Sequence, residues 1–352
     1  MATATGLWTN EEINELHLSA GYEEEVAETK SGSLVDDWGA PPFTILDARQ
    51  GYWKTRKKEW LALGICSELG RGRKLGATPP NIEAIIPGYY HKKEQGISHE
   101  EIVAAYTGEG IERAGISVFD PVLCELVYRW FCPPGGSVLD PFAGGSVRGI
   151  VAAKSGLDYM GIDLSAQQMK ANEKQAQQIL GASDPRPTWI IGDSANIPRL
   201  AGHRQVDFMF SCPPYHDLEV YGNEPGELSA MDWPTFIAAY HRIIVAAVDR
   251  LKNNRFACFV VGELRNKRGF YKGFIGETIN AFEAAGLQLY NEAIFITPAG
   301  SLPIRIGRQF AAGRKLGKTH QNVLIFYKGD PSNISEHFPR EVKLADLDDT
   351  NA

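Results

Sequence analysis

The feature that most constrains the fold is a regular alternation of short apolar runs and amphipathic segments that starts near residue 117. Short apolar runs, such as 137–140 and 206–211, predict buried strands. The segments between them, such as 165–180, repeat apolar residues at helical spacing. This alternation predicts an α/β fold: a doubly wound, mostly parallel seven-stranded sheet that ends in an antiparallel pair, with a smaller N-terminal extension.

Composition divides the chain into four regions. Residues 1–35 are acidic and are predicted to form a flexible arm, and residues 36–116 form an N-terminal region that becomes rich in Gly and Pro. Residues 117–330 hold the α/β domain, and residues 331–352 form an acidic tail.

Several classes of protein are disfavoured by the sequence. No apolar run approaches the roughly 18 to 20 residues that span a bilayer, and the polar, acidic N-terminus does not resemble a secretory signal. The five cysteines are scattered without metal-ligand spacing, so no metal site is predicted. We therefore expect a cytoplasmic protein without a membrane segment; the sequence says nothing about its oligomeric state.

The charge distribution indicates a polyanionic partner. The net charge is -7, but acidic residues concentrate at the two ends of the chain and basic runs lie between them. The run at 305–318 has five positive residues and no acidic one. Each run alone is more typical of a solvated surface, whereas four together favour nucleic acid. The side chains predicted to contact it are Arg56, Lys57, Arg265, Arg268, Arg305, Arg308, Arg314 and Lys315.

Polar residues follow three successive predicted strands. The first strand ends at Asp140, and Gly144 and Gly145 then let a ligand approach the backbone before a helix begins. The second strand ends at Asp163, a position where acids hold ribose hydroxyls in Rossmann-type folds, although an N-cap role is equally compatible. The third ends at Asp193. The first loop lacks both the G-x-G-x-x-G pattern and the Lys of a phosphate loop, which counts against an oxidoreductase.

The fourth strand leads directly into the loop SCPPYHDLEVYG at 211–222. Pro213 and Pro214 stop the strand ladder and leave backbone carbonyls that can accept hydrogen bonds from an amino group. Tyr215 offers a flat face on which a base can stack. A proline-rich turn with a packed tyrosine is the structural alternative.

Together, SVLDPFAGGS and SCPPY resemble the two main motifs of phage-type DNA amino-methyltransferases, which form N6-methyladenine or N4-methylcytosine. The likeness covers about residues 117–330. No separate target-recognition domain lies between the two motifs, so target recognition is expected from residues 36–116 and from the basic loop at 299–318. It implies S-adenosyl-L-methionine as cofactor, double-stranded DNA as partner and a bacterial or phage-infected host. The implied catalytic residues are Ser211, Cys212, Pro213, Pro214 and Tyr215. The implied cofactor-binding residues are Phe119, Asp120, Asp140, Pro141, Phe142, Gly144, Gly145, Ser146, Asp163, Asp193 and Ser194.

The sequence departs from this family at Cys212, where Asp, Asn or Ser is usual. Cysteine is a weak hydrogen-bond acceptor, so the Pro213 carbonyl and Ser211 are expected to share the contact with the target amine. The departure slightly favours cytosine over adenine. It also keeps open a catalytically degenerate DNA-binding protein. Enzymes that act on RNA or on a protein glutamine stay open as well, because they share a cofactor loop and a Pro-Pro-Tyr loop. Cytosine-C5 methylation is disfavoured because its cysteine follows a proline, whereas Cys212 precedes one.

Overall fold

A twisted sheet of eight strands organises the chain in the computed structural model, which describes residues 33–65, 89–98, 102, 119–216, 226–300, 302–338, 344–345 and 347. The strands lie in the order β1-β7-β8-β6-β5-β2-β3-β4. Strand β8 is antiparallel to both of its neighbours, and the other pairs are parallel. The strands are β1 (Ile45–Asp47), β2 (Ser137–Asp140), β3 (Asp158–Asp163), β4 (Thr188–Ile191), β5 (Val206–Ser211), β6 (Leu251–Val261), β7 (Gln288–Ile296) and β8 (His320–Lys328).

Helices cover both faces of this sheet. One buried cluster joins α4, α5 and the N-terminal helix α2 to one face, and the second joins α8 and α9 to the other. The helices are α1 (Ser33–Trp38), α2 (Gly51–Ala62), α3 (Tyr89–Glu94), α4 (Pro121–Phe131), α5 (Val147–Lys154), α6 (Ala166–Ile179), α7 (Ile197–Leu200), α8 (Trp233–Val248), α9 (Phe274–Ala284), α10 (Leu302–Gly313) and α11 (Ile334–His337).

The predicted fold class is confirmed. Without β1, the strands numbered along the chain have the order 3-2-1-4-5-7-6, which is the Rossmann order with an antiparallel last strand inserted before the sixth. The direction of the strand order reverses between β2 and β5. Ligands of such sheets bind at the carboxyl ends of the strands that flank the reversal, so the topology directs attention to the loops after Asp140 and Ser211.

Two elements differ from the sequence-based expectation. An eighth strand, β1, comes from the N-terminal region and pairs in parallel with β7. It is only three residues long, too short for an alternating pattern to stand out. The basic loop predicted at 299–318 contains a helix instead, because residues 302–313 form α10. Pro303 is tolerated there because it lies in the first turn, where backbone N–H groups need no helical partner.

The N-terminal region and the C-terminal segment are fastened to α4 through one buried carboxylate. Glu125 accepts two hydrogen bonds from Arg56, at 2.6 and 2.8 Å, one from the Trp60 indole at 2.8 Å and one from the Ala345 backbone N–H at 2.8 Å. Arg56 also donates to the Ala345 carbonyl. Residues from three distant parts of the chain therefore meet around one charge, which is stable when buried only because it is fully paired.

A second acidic residue holds the amino ends of three neighbouring strands together. Asp207 of β5 accepts hydrogen bonds from the backbone and hydroxyl of Ser137 in β2, and from Lys252 and Arg255 in β6. Partial burial raises the pKa of Asp207, but the hydrogen bonds from Lys252 and Ser137 outweigh it and lower this pKa to about 2.

This low pKa predicts a pH-dependent contribution to stability. The unfolded pKa of aspartate is about 3.9. The contribution of Asp207 is therefore complete above about pH 4 and is lost as the pH falls towards 2, a loss of about 2 kcal/mol. The variant Asp207→Asn should lose that acid-sensitive component, so its urea-unfolding free energy should change less than that of the wild type between pH 4.5 and 2.5. The same pH profile in both proteins would contradict this assignment.

Candidate active site

The candidate active site lies where the carboxyl ends of β2 and β5 meet. A hydrogen bond of 2.5 Å from the Ser211 hydroxyl to Asp140 Oδ1 joins the ends of these strands. The glycine loop at 141–146 and the loop at 212–215 therefore start side by side. Two motifs that are 71 residues apart in the chain form one site.

Asp140 supports this site from below. Its side chain is fully buried, and Oδ1 accepts from the backbone N–H of Phe142 as well as from Ser211. The other oxygen, Oδ2, accepts from Arg148 Nε at 2.6 Å and from the Tyr159 hydroxyl at 2.7 Å. Four protein donors thus occupy the carboxylate, and Asp140 positions the glycine loop instead of lining its open side.

Arg148 closes the underside of the glycine loop. Its Nη2 donates to the carbonyls of Phe142 and Ala143, at 2.6 and 3.0 Å. Its guanidinium also lies 4.8 Å from the ring centroid of Phe119, a cation–π contact. The loop is therefore preorganised by a buried cation whose charge Asp140 balances.

The upper side of the glycine loop is open. Gly144 has a φ of +51°, which favours glycine, and a Cβ placed there would meet nothing closer than the Phe142 carbonyl oxygen at 4.0 Å. The Gly144 N–H donates to Asp163 Oδ2 at 2.9 Å, and its carbonyl accepts from Asn172 at 2.8 Å. Ser146 is buried and donates to Gln175. A ligand can therefore approach the Gly144 backbone.

Asp163 lies beside this open loop at the end of β3. It accepts one backbone N–H on each oxygen, from Ser165 on Oδ1 and from Gly144 on Oδ2, both at 2.9 Å. Burial raises the pKa of Asp163, and these two hydrogen bonds act in the opposite direction. A carboxylate has about four acceptor positions, so capacity for ligand hydroxyls remains.

The third strand adds two residues with different functions. Asp193 caps a short 3₁₀ turn by accepting the Ala195 N–H on Oδ1, and its Oδ2 lies against Gly226. Ser194 is buried and donates to the Pro141 carbonyl at 2.6 Å, so it supports the glycine loop. Asp193 is therefore the better placed of the two to contact a ligand.

In the second loop, the predicted catalytic residues divide into supporting and open positions. Ser211 is fully buried and directs its hydroxyl to Asp140, so it positions the loop rather than the target amine. Cys212, Pro214 and Tyr215 are half-buried. The Tyr215 hydroxyl accepts from Gln321 Nε2 at 2.8 Å, which ties the loop to β8.

His216, which sequence reasoning did not select, connects the second loop to the basic loop at 265–272. Its Nδ1 lies 2.8 Å from Lys272 Nζ, and its Nε2 lies 3.0 Å from the Met231 carbonyl oxygen. An ammonium can only donate and a carbonyl can only accept, so these contacts fit the neutral Nε2–H tautomer. The ring packs edge-on against Trp233 and Phe236.

The basic loop at 265–272 is a turn held by hydrogen bonds within it. The Asn266 side chain accepts the N–H groups of Arg268 and Phe270, and Arg265 donates to the Gly269 carbonyl at 2.7 Å. Arg265 lies 4.0 Å over the Tyr271 ring, and Phe270 is 64% exposed. Neither this loop nor α10 contains an acidic residue.

Helix α10 and the residues after it extend this surface. Lys315 lies against Gly269, and Arg308 and Arg314 are exposed. The side chain of Arg305 lies outside the described residues. Exposed cations and aromatic rings therefore border the loop that carries Tyr215, an arrangement suited to an anionic polymer with stacked bases.

Two other predicted nucleic-acid contacts have partners within the protein. Arg56 is held by Glu125, and Lys57 pairs with Asp120 at 2.8 Å. Asp120 caps α4 and accepts the Trp53 indole N–H at 3.1 Å, so it fastens α2 to the domain. Their role in the structure is to attach the N-terminal region, because these ion pairs occupy both charges.

Neither a metal site nor a membrane span was found in the part of the chain that the structure describes. No group of three or more His, Cys, Asp or Glu side chains there is arranged to hold a metal ion. None of the described helices is long and apolar enough to cross a membrane.

Comparisons with known proteins give distant likenesses. No protein-family model matches the sequence, and neither does any curated protein. Among solved structures, TrmN from Thermus thermophilus is 14% identical with a TM-score of 0.40, over 66% of this chain and 55% of TrmN. A TehB-like S-adenosylmethionine-dependent methyltransferase from Corynebacterium glutamicum is 15% identical with a TM-score of 0.36, over 64% of this chain and 96% of its own. These likenesses are too distant to inform function, which we argue from the site.

The Ser211–Asp140 bond should matter for both stability and activity. A buried hydrogen bond to a charged group contributes about 1.5–3 kcal/mol, so Ser211→Ala should lower the free energy of unfolding by that amount in urea titrations. It should also reduce turnover, because the two loops lose their common anchor. Ser137→Ala is the matched control: it also removes a serine hydroxyl from an aspartate, but at the opposite end of the sheet. Equal turnover in the two variants would contradict the assignment.

Proposed function

We propose that this protein is an S-adenosyl-L-methionine-dependent methyltransferase that methylates the exocyclic amino group of a base in double-stranded DNA, at N4 of cytosine or N6 of adenine. The observation that carries the proposal is the hydrogen bond between Ser211 and Asp140, which sets the Pro-Pro-Tyr loop beside the open glycine loop. A cofactor loop and a base-stacking loop at one switch point are what direct methyl transfer to a base requires.

The residues around the glycine loop fit the proposed cofactor. The space over Gly144 admits a ligand close to the backbone, Asp163 has acceptor capacity for ribose hydroxyls, and Asp193 lies at the next strand end. When bound, S-adenosylmethionine supplies an activated methyl group on a sulfonium. In this proposal Phe142, Gly144 and Gly145 hold the methionine end, while Asp140, Ser146 and Ser194 keep their loop in position.

The second loop would orient the target. Tyr215 stacks on the extruded base, and its hydroxyl is held by Gln321. Because Ser211 is committed to Asp140 and the Cys212 thiol accepts weakly, backbone carbonyls of Cys212 and Pro213 become the acceptors for the target amine. No strong base is needed before transfer, since the amine proton can leave afterwards to water.

DNA is favoured over the other candidate substrates by the surface around this loop. Arg265, Arg268, Arg308, Arg314 and Lys315 provide a basic border, and neither the loop at 265–272 nor α10 contains an acidic residue. A protein substrate would not require such a border, whereas each neutralised phosphate strengthens binding to nucleic acid. RNA offers the same phosphates, so the assay must distinguish RNA from DNA as the substrate.

The decisive test is transfer of tritium from labelled S-adenosylmethionine to unmethylated DNA, with matched RNA and protein substrates, followed by nucleoside mass spectrometry. We expect N4-methylcytosine or N6-methyladenine in DNA. Loss of stacking in Tyr215→Ala should lower kcat/KM by about 10- to 100-fold. Tyr290→Ala, which removes an exposed tyrosine from the amino half of β7, is the control. Label on RNA or protein alone would refute the DNA assignment.

Cofactor affinity should depend on Asp163. Loss of hydrogen bonds to a charged acceptor predicts a Kd increase of about 10- to 100-fold in Asp163→Ala, measured by calorimetry. Because burial raises the pKa of Asp163, this carboxylate is protonated at a higher pH than an ordinary aspartate. As the pH is lowered, the affinity of the wild type for the cofactor should therefore begin to fall at that higher pH. The variant Asp163→Asn should lose this pH dependence. Asp158→Ala, at the other end of β3, should bind normally. Unchanged affinity in Asp163→Ala would rule out the ribose role.

A further inference from the structure

A half-buried lysine lies beside the stacking tyrosine. Lys318 precedes β8, whose first residues pair with the carboxyl ends of β6 and β7. A Cβ built on the buried Gly262 would lie 3.3 Å from the Tyr215 hydroxyl oxygen and 3.4 Å from Lys318 Nζ. The phenol and the ammonium therefore border the same small space above Gly262.

The described surroundings of Lys318 leave its ammonium available to a ligand. No carboxylate lies within 4.0 Å of its Nζ in the described part of the chain, although Glu263 is near enough to raise its pKa. Burial has the larger effect and lowers the pKa of Lys318. Glu263 is itself held by the backbone N–H groups of Leu264, Gly273 and Phe274. A half-buried ammonium with no carboxylate partner among the described residues gains from an acceptor brought by a substrate.

The depth of Lys318 distinguishes it from the cations that would contact phosphates. Lys267, Arg268 and Lys315 are exposed on the outer surface, where a DNA backbone would lie. Lys318 instead lies beside the hydroxyl of the ring on which the base would stack. An extruded base is commonly recognised along its Watson–Crick edge, so the edge of the base is the group within its reach.

We propose that Lys318 is a specificity-determining residue that donates a hydrogen bond to the ring nitrogen next to the target amine. This inference rests on the proposed function. Adenine N1 and cytosine N3 both accept hydrogen bonds beside an amino group. On the same Watson–Crick edge, guanine N1 and thymine N3 carry an N–H, and an ammonium, which can only donate, is repelled by it. One lysine would thus admit the two bases that carry a suitable amine.

The test combines a variant with a base analogue. Once the methylated base is identified, its ring nitrogen is replaced by C–H, as 1-deazaadenine or 3-deazacytosine, in a duplex oligonucleotide. We expect wild-type kcat/KM to fall about 10- to 100-fold on the analogue, the loss of one charge-assisted hydrogen bond. On the natural base, kcat/KM of Lys318→Met should be lower than that of the wild type by the same factor. On the analogue, kcat/KM of Lys318→Met should be no lower than on the natural base.

The controls separate this contact from general charge effects. Lys267→Met removes one exposed cation from the basic loop. Its loss of kcat/KM should multiply with the loss caused by the analogue, because the two changes act on separate contacts. Lys318→Arg keeps a donor and should remain sensitive to the analogue, which provides a second variant if Lys318→Met does not fold. Cofactor Kd should be the same in all of these proteins.

The possible outcomes are distinct. If the losses of kcat/KM caused by Lys318→Met and by the analogue multiply, the inference is overturned, and the lysine is assigned to phosphate binding. A wild-type enzyme that is equally active on the analogue would also overturn it. If the wild type methylates no DNA at all, the proposed function itself fails, and this result is visible before any variant is made.

Discussion

The candidate site depends on one buried ion pair, Asp140 with Arg148. The two side chains are 0% and 6% exposed, and an unpaired charge at either position would be strongly destabilising. Around this pair, Tyr159 and Ser211 contribute donors from β3 and β5, and the arginine reaches the carbonyls of the glycine loop. A single pair of charges therefore sets the relative position of β2, β3, β5 and α5.

This arrangement explains why the position of the site could be predicted from the sequence more accurately than the role of each residue in it. Strand ends follow from local patterns, and Asp140, Asp163 and Asp193 were placed at one edge of the sheet for that reason. Whether a carboxylate faces the ligand or the protein depends on partners far along the chain. Asp140 and Ser211 are 71 residues apart, and no local pattern shows that they bind each other.

The basic segments illustrate the same limit. Composition identified the acid-free run at 305–318, but it did not predict the helix at 302–313 that overlaps this run. Arg56 was expected at DNA because it lies in a basic run, whereas its buried partner Glu125 is 69 residues away. Lys318 was counted as one positive charge among five, and only the packing around Gly262 sets it apart. Charge patterns predict a surface, while burial decides which charges belong to it.

The position of β8 has a consequence for the order of assembly during synthesis. This strand follows β6 and β7 in the chain but pairs between them, with seven and eight residue pairs respectively. Until residues 320–328 leave the ribosome, β6 and β7 have no partner between them, and both present open backbone edges. The Gln321 contact to Tyr215 is absent until then as well. The nascent chain therefore passes through a state with two unpaired strand edges, and the loop that carries Tyr215 is secured in the same step that closes the sheet.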